Sequence, residues 1–386
     1  MTNKQIFFKI LKIFTIWRVA LFVVAFISTF LITKFGGRFP YADMVLEITN
    51  LPSWIWGFGN FDGVHYLRIA QNGYTADYSQ AFFPLFPYLI NIVSNLFPKI
   101  ANLDTALYTD PAFFYAGILV SNSFLLLALY FYYQVIKIEF NEKIATNSII
   151  LLLVFPTSFF LSAIYSESLF LFLAMFSIYL LRKQKFLLAS FVIAIATATR
   201  LAGLFLIAVY LIEVHKSNKK INYLWVLLTP LGILIYMYFL HLNFGNAFYF
   251  FGSSGEFGTG RDVTRIVLFP QIIYRYIKMF LSINPFSLSF LNITLEFIFT
   301  LGPLVYLITL FKKMRFSYWI FSLFTLLIGT LNGTFTSMPR YIIPSMMFMF
   351  PYIASQQKIK FKSIATCSAI LMIILAMLFI RGYWVA

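Results

Sequence analysis

The stretch Phe186–Val214, FLLASFVIAIATATRLAGLFLIAVYLIEV, decides the architecture. It is an apolar run flanked by basic clusters on both sides, Arg182/Lys183/Lys185 before it and Lys216/Lys219/Lys220 after it. About 20 apolar residues cross a bilayer core of roughly 30 Å, so length alone suggests one crossing. Basic clusters belong to the cytoplasmic side, and a single crossing would leave one of the two outside. Two half-length helices that meet near Arg200–Gly203 and return satisfy both constraints. Such a broken helix is tolerated where its exposed backbone lines a cavity.

The rest of the chain obeys the same logic. Of its 386 residues, 61% are hydrophobic and 11% charged, against about 45–50% and 25% in a soluble domain. The net charge of +16 does not point to nucleic acid, because the Lys and Arg residues sit in short groups between apolar runs. Lys4/Lys9/Lys12, Lys312/Lys313/Arg315 and Lys358/Lys360/Lys362 complete the series of cytoplasmic loops. Cys367 is the single cysteine, so there is no disulfide framework, and with three histidines no dedicated zinc site is expected. No cofactor is called for.

With the basic clusters inside, Ile13–Thr33 is an uncleaved first span leading outward. The segment 34–111 then forms a first outer loop, with six acidic residues against four basic ones in a chain that is strongly cationic overall. Within it, Ala81–Phe97 carries Pro84 and Pro87 and reads as an interfacial or re-entrant element. Further spans are expected at Ala112–Ile136, Ile144–Ile164, Leu169–Leu181, Tyr223–Leu242, Phe286–Phe311, Phe316–Phe335, Tyr341–Ser355 and Ser363–Ile380. A second outer loop covers 243–282, Gly-rich up to Arg265, with an interfacial stretch at Ile266–Ser282. The expectation is an all-α polytopic membrane protein, residues 1–386 forming one transmembrane domain of about 10–11 helices, with the C-terminus outside.

Charges in or beside apolar segments are expensive, so each is a functional candidate. They are Asp62, His65 and Arg68 in the first outer loop, Glu167 between two spans, Arg200 in the broken helix and Arg340 beside Tyr341 at a span end. All fall at or near the outer face. Asp62 suits a carboxylate general base or a plain helix N-cap. His65 suits a substrate donor or an interfacial anchor. Arg68 suits a phosphate, which guanidinium grips bidentately, or a solvated helix face. Glu167 suits the favourable end of a helix dipole. A lone Arg200 at membrane depth calls for an anion or a water cavity. Arg340-Tyr341 fits an interfacial anchor or a phosphate site.

Asp62-Gly-Val-His-Tyr66, Ile69-Ala-Gln-Asn-Gly-Tyr74 and Phe82-Phe-Pro-Leu-Phe-Pro87 resemble the first-loop signature of the PIG-V-like mannosyltransferases, membrane glycosyltransferases of the GT-C class. Tyr165-Ser-Glu-Ser-Leu-Phe170, Arg200-Leu-Ala-Gly203 and Pro339-Arg-Tyr341 resemble later motifs of that family, in order. Phe61 stands where that family usually has Trp, and Leu201-Ala202 replace a polar pair. The resemblance implies a GT-C-like bundle and a polyprenyl- or dolichyl-phosphate sugar donor. A hexose, mannose by analogy, would pass with inversion to a lipid-linked or cell-envelope glycan outside the cytoplasm. Asp62 would be the base, and His65, Arg68, Glu167, Arg200, Arg340 and Tyr341 would bind substrate. Membrane lipids are the other expected partners. The expected location is a prokaryotic cell membrane, or the endoplasmic reticulum membrane in a eukaryote. A polytopic transporter or lipid flippase is the rival class, since broken helices and intramembrane charge describe those too.

Overall fold

A computed structural model describes residues 2–37, 42–217, 220–256, 267–330 and 333–385, with the side chain of Lys220 excepted. Arg38, Lys219 and the Gly258–Ile266 part of the second outer loop lie outside the described residues. Helices α1 (Asn3–Leu31), α2 (Ala42–Val45), α3 (Ser53–Trp56), α4 (Asp62–Asn72) and α5 (Leu85–Ser94) open the chain. Then come α6 (Pro111–Glu139), α7 (Glu142–Leu153), α8 (Glu167–Arg182), α9 (Phe186–Thr197) and α10 (Phe205–Lys216). They are followed by α11 (Leu231–Phe244), α12 (Tyr249–Gly255), α13 (Phe269–Ser282) and α14 (Leu288–Thr309). The last are α15 (Phe316–Ile328), α16 (Met338–Tyr341), α17 (Ile343–Ala354) and α18 (Lys358–Ile380). Among the described residues there is no strand.

Among the described residues five helical stretches are long and apolar enough to cross a membrane: α1, α6, Ile221–Phe244, α14 and α18. Shorter apolar helices, α5, α9, α15 and α17 among them, pack between and beside these. The chain is a polytopic all-α membrane protein, built partly from half-length pieces.

The caps explain where the long helices begin. Thr2 and Gln5 form a reciprocal capping box at the start of α1. At α6 the Asp110 carboxylate accepts from Ala112 N at 2.8 Å, with Pro111 at the first position, and Lys137 lies in the last turn where a cation meets the dipole.

The break expected in Phe186–Val214 is present. α9 stops at Thr197, a short 3-10 turn covers Leu201–Leu204, and α10 starts at Phe205. Arg200 is fully extended at the break. Gly203 lets the returning chain press on α9, since a Cβ there would sit 2.6 Å from the Ala196 carbonyl oxygen.

The expected span Ile144–Ile164 is a helix only in its first part. α7 ends at Leu153, just before Pro156, whose missing N–H stops the ladder. Residues 155–171 are all buried. Irregular backbone at membrane depth is tolerable there because it is sheathed in protein and bonded: Ile164 N donates to the Phe58 carbonyl at 2.9 Å, and the Thr157 hydroxyl to that of Pro339 at 2.6 Å. Tyr223–Leu242 likewise splits at Pro230 into a 3-10 stretch and α11. Phe316–Phe335 is helical only to Ile328.

Two of the long helices, α1 and α18, run in the same direction. They lie side by side, and the Arg381 guanidinium at the end of α18 donates to the Ile32 and Thr33 carbonyls just past the end of α1. Their basic N-terminal turns therefore lie together at the opposite end. α8 carries Glu167 in its first turn and Arg182 in its last, separated by about 22 Å along the axis. One end of the bundle gathers the basic loops and the other gathers the first loop, the broken-helix turn and α16.

Candidate active site

At that second end, four charged side chains from four separated segments meet. Arg340 Nη1 lies 2.8 Å from Asp62 Oδ2, and Arg340 Nε lies 3.3 Å from Glu167 Oε1. Arg200 Nη1 lies 2.7 Å from the same Glu167 oxygen. The order Asp62–Arg340–Glu167–Arg200 alternates in sign and sums to zero. Arg340 is nearly enclosed, at 4% side-chain exposure, whereas Asp62 and Arg200 retain 24% and 21%. Aromatic rings wall the chain in: Arg340 faces Phe160, Tyr165 and Tyr341 at 5.2, 5.2 and 4.9 Å, and Arg200 faces Tyr341 at 5.4 Å. The Tyr341 hydroxyl also accepts from Arg340 Nη2 at 3.1 Å.

Each partner is placed by local structure. Asp62 is the first residue of α4 and makes no capping bond; its carboxylate is turned to Arg340 instead. The simple N-cap alternative is therefore not what the structure shows. The cap position belongs to Phe61, with φ 59° and ψ −117°, a conformation costing a residue with a side chain about 1–3 kcal/mol. Tyr165 bridges to this turn: its hydroxyl donates to the Asn60 carbonyl at 2.9 Å and accepts from Asp62 N at 3.3 Å. Tyr66, one turn along α4, donates to Ser166 at 2.9 Å. Glu167 opens α8, in the favourable dipole position. Its Oε2 is buried and has no hydrogen-bond partner among the described residues.

Of the other expected site residues, His65 lies on the Asp62 side of α4 and stacks on Phe82 with centroids 4.9 Å apart. Burial lowers its pKa below 6.5; the nearby Asp62 opposes that shift and Arg68 reinforces it. Arg68, on a different face of α4, donates to the Ala106 and Leu107 carbonyls at 3.2 and 3.4 Å and so braces the first loop against itself. A cleft lined by Phe35, Glu47, Trp56, Asn60, Phe61 and Gly382 opens beside the Asp62 turn.

Sequence reasoning passed over several participants. Tyr165 and Ser166 stand inside a motif that was singled out only for its glutamate. Arg18, buried in α1, donates to Ser162 at 3.0 Å and lies 4.2 Å from the Phe22 and Phe58 rings, with no carboxylate partner among the described residues. A charge inside the first apolar run was its available signal. Asn60, Phe379 and Trp384 carry no comparable mark.

A family model described as Mannosyltransferase (PIG-V) matches residues 5–242. The chain belongs to the PIG-V mannosyltransferase family. GPI mannosyltransferase 2 of Drosophila pseudoobscura pseudoobscura is 30% identical over 156 residues, which are 39% of this chain and 32% of that protein. The chain thus matches about a third of the length of that curated relative. The family match contains Asp62, Glu167 and Arg200 and ends before Arg340, yet the fold of this PIG-V family member brings Arg340 between the two carboxylates.

Proposed function

We propose that this PIG-V family member is a membrane glycosyltransferase. It takes a hexose, mannose in the first instance, from a polyprenyl- or dolichyl-phosphate donor and passes it to a glycolipid or cell-envelope glycan on the non-cytoplasmic face. The observation that carries this reading is the Asp62–Arg340–Glu167–Arg200 chain at the end of the bundle away from the basic loops. Family membership favours this class over a transporter or flippase. The named relative is an animal protein, which lends no support to the prokaryotic membrane expected from sequence.

In the proposed reaction an acceptor hydroxyl attacks the anomeric carbon as its proton passes to the Asp62 carboxylate. The bond from that carbon to the phosphate oxygen breaks on the opposite face, and the configuration inverts. The leaving group is a phosphate anion, so no general acid is required, unlike hydrolases that pair two carboxylates. The arginines divide the remaining work. Arg340, enclosed and shared by two carboxylates, holds the base in place. Arg200, more exposed, meets the donor phosphate, for which its planar fork is suited.

The test supplies purified protein with polyprenyl-phosphate-mannose and a membrane extract and follows labelled sugar into glycolipid. Transfer that depends on Asp62 supports the reading. No transfer from any polyprenyl-phosphate hexose, by protein shown to be folded, sinks it.

A further inference from the structure

We propose that the last turn of α18 and the residues after it, Phe379–Trp384, form a clasp that positions Asp62; this rests on Asp62 being the base. The segment carrying Asp62 is built onto the end of a helix more than 300 residues away. The Asn60 side-chain amide donates to the Phe379 and Ile380 carbonyls, at 2.9 and 3.2 Å. Those carbonyls are at the negative end of the α18 dipole, where an amide N–H is welcome and a carboxylate is not. Gly57 allows the approach: a Cβ there would be 2.8 Å from the Ile380 carbonyl oxygen.

Phe61 is the centre of the device. Its positive φ favours glycine, yet the position holds a phenylalanine that is only 7% exposed. The ring is held by Phe379 and Trp384, with centroids 5.8 and 5.3 Å away. The contact thus keeps the backbone in a conformation it would otherwise leave. That backbone sets the direction in which the next residue, Asp62, leaves the chain toward Arg340.

The clasp is itself anchored on two sides. Arg381 donates to the Ile32 and Thr33 carbonyls at 2.7 and 2.9 Å and to the Ser53 hydroxyl at 3.2 Å, and lies 3.8 Å from the Phe35 ring centroid. Asn292 of α14 donates to the Trp384 carbonyl at 2.9 Å. Phe379–Trp384 and Asn292 lie outside the family match, whereas their anchor points Ile32, Thr33, Phe35 and Ser53 lie inside it. The former are positioning residues, acting through Phe61.

Substitutions at Phe61 separate this role from mere packing. Phe61→Ala and Phe61→Gly lose the same ring, but only glycine relieves the backbone. The clasp predicts opposite orders. Phe61→Gly melts about 2–4 °C above Phe61→Ala. Its kcat is nonetheless about tenfold or more lower, with KM within about twofold, because the base is released from its aim. Packing alone predicts that turnover follows stability, and Phe61→Gly turning over as fast as Phe61→Ala or faster overturns the proposal. Asn60→Asp is the second measurement: it keeps the size but sets a carboxylate against the α18 carbonyls. Its kcat falls about tenfold with KM unchanged, and an unchanged kcat again overturns the clasp. Asp62→Asn is run alongside. If that variant keeps wild-type turnover, the base assignment fails and the clasp with it. If it loses turnover while the Phe61 and Asn60 variants behave as simple packing changes, the clasp alone is wrong.

Discussion

Two clusters of arginine and glutamate sit at opposite ends of this bundle and are built differently. At the basic end, Glu213 of α10 receives Arg315 through two parallel bonds, Nε to Oε1 at 2.7 Å and Nη2 to Oε2 at 2.5 Å, and the Ser317 hydroxyl as well. Both carboxylate oxygens are used, and the guanidinium fork is matched by one partner. At the other end Arg340 is divided between Asp62 and Glu167 by single contacts, and Glu167 Oε2 has no hydrogen-bond partner among the described residues. A saturated pair stitches α10 to the start of α15 and offers a ligand nothing. An under-satisfied one stays in place because surrounding structure holds it, and it leaves one carboxylate oxygen over. The same residue types thus form a rivet in one place and the proposed site in the other.

The largest expected effect breaks this comparison if it fails. Asp62→Asn keeps the side chain's shape but cannot take the proton, so transfer falls about 10²- to 10⁴-fold. Glu213→Gln, assayed per folded molecule, stays within about twofold of wild type. Equal losses in the two variants mean that the distinction between rivet and site is false.

The next effect sharpens the division between the two arginines. Arg200→Lys keeps the charge and loses the fork, and the donor KM rises about 10- to 100-fold, the worth of a hydrogen bond to a charged group. Arg340→Lys lowers kcat with little change in donor KM. Steady-state kinetics with varied donor decides it, and a KM effect confined to Arg340 reverses the roles.

Stability shows the opposite ranking. Arg315→Gln leaves Glu213 buried without its counter-charge. Full burial of such a pair makes its loss cost about 3–5 kcal/mol; with Arg315 26% exposed the expectation is about 2–3 kcal/mol. Thermal unfolding in detergent reads this as a lower Tm at unchanged kcat per folded molecule. A wild-type Tm removes the rivet.

The smallest effect is in pH. His65 is held below its ordinary 6.5 by burial, so the folded protein binds the proton less readily than the unfolded chain. The contribution of neutral His65 is present above about pH 6.5 and is lost as pH falls through and below that value. Folding stability is therefore flat with respect to this group above neutrality and declines on acidification. His65→Gln flattens part of that decline, and an unaltered acid limb removes His65 from the account.

How much of this was legible depends on the kind of signal. Apolar runs and basic clusters announced a polytopic membrane protein, and the flanking charges of Phe186–Val214 placed its break near Arg200–Gly203, where the structure has it. Half-length pieces were harder. Pro156 follows the end of α7 and Pro230 caps the start of α11, each inside a run whose hydropathy continues unbroken, so composition alone reads through them. Asp62, Glu167, Arg200 and Arg340 were each conspicuous as charges in apolar surroundings. Their mutual pairing was not, because charge cost is a property of one position and pairing is a property of two.

The sequence by itself determined the solvent, the class of fold and the inventory of ionisable groups at the working end. Each follows from local hydropathy, charge clustering and helix-breaking residues, which act over at most a few turns. Only the tertiary structure decided that the Arg340 cation answers the Asp62 carboxylate 278 positions away. It also decided that Asn60 bonds to the end of α18, 319 positions on. Such contacts arise from the packing of whole helices, and the chain between the partners carries no periodic trace of them.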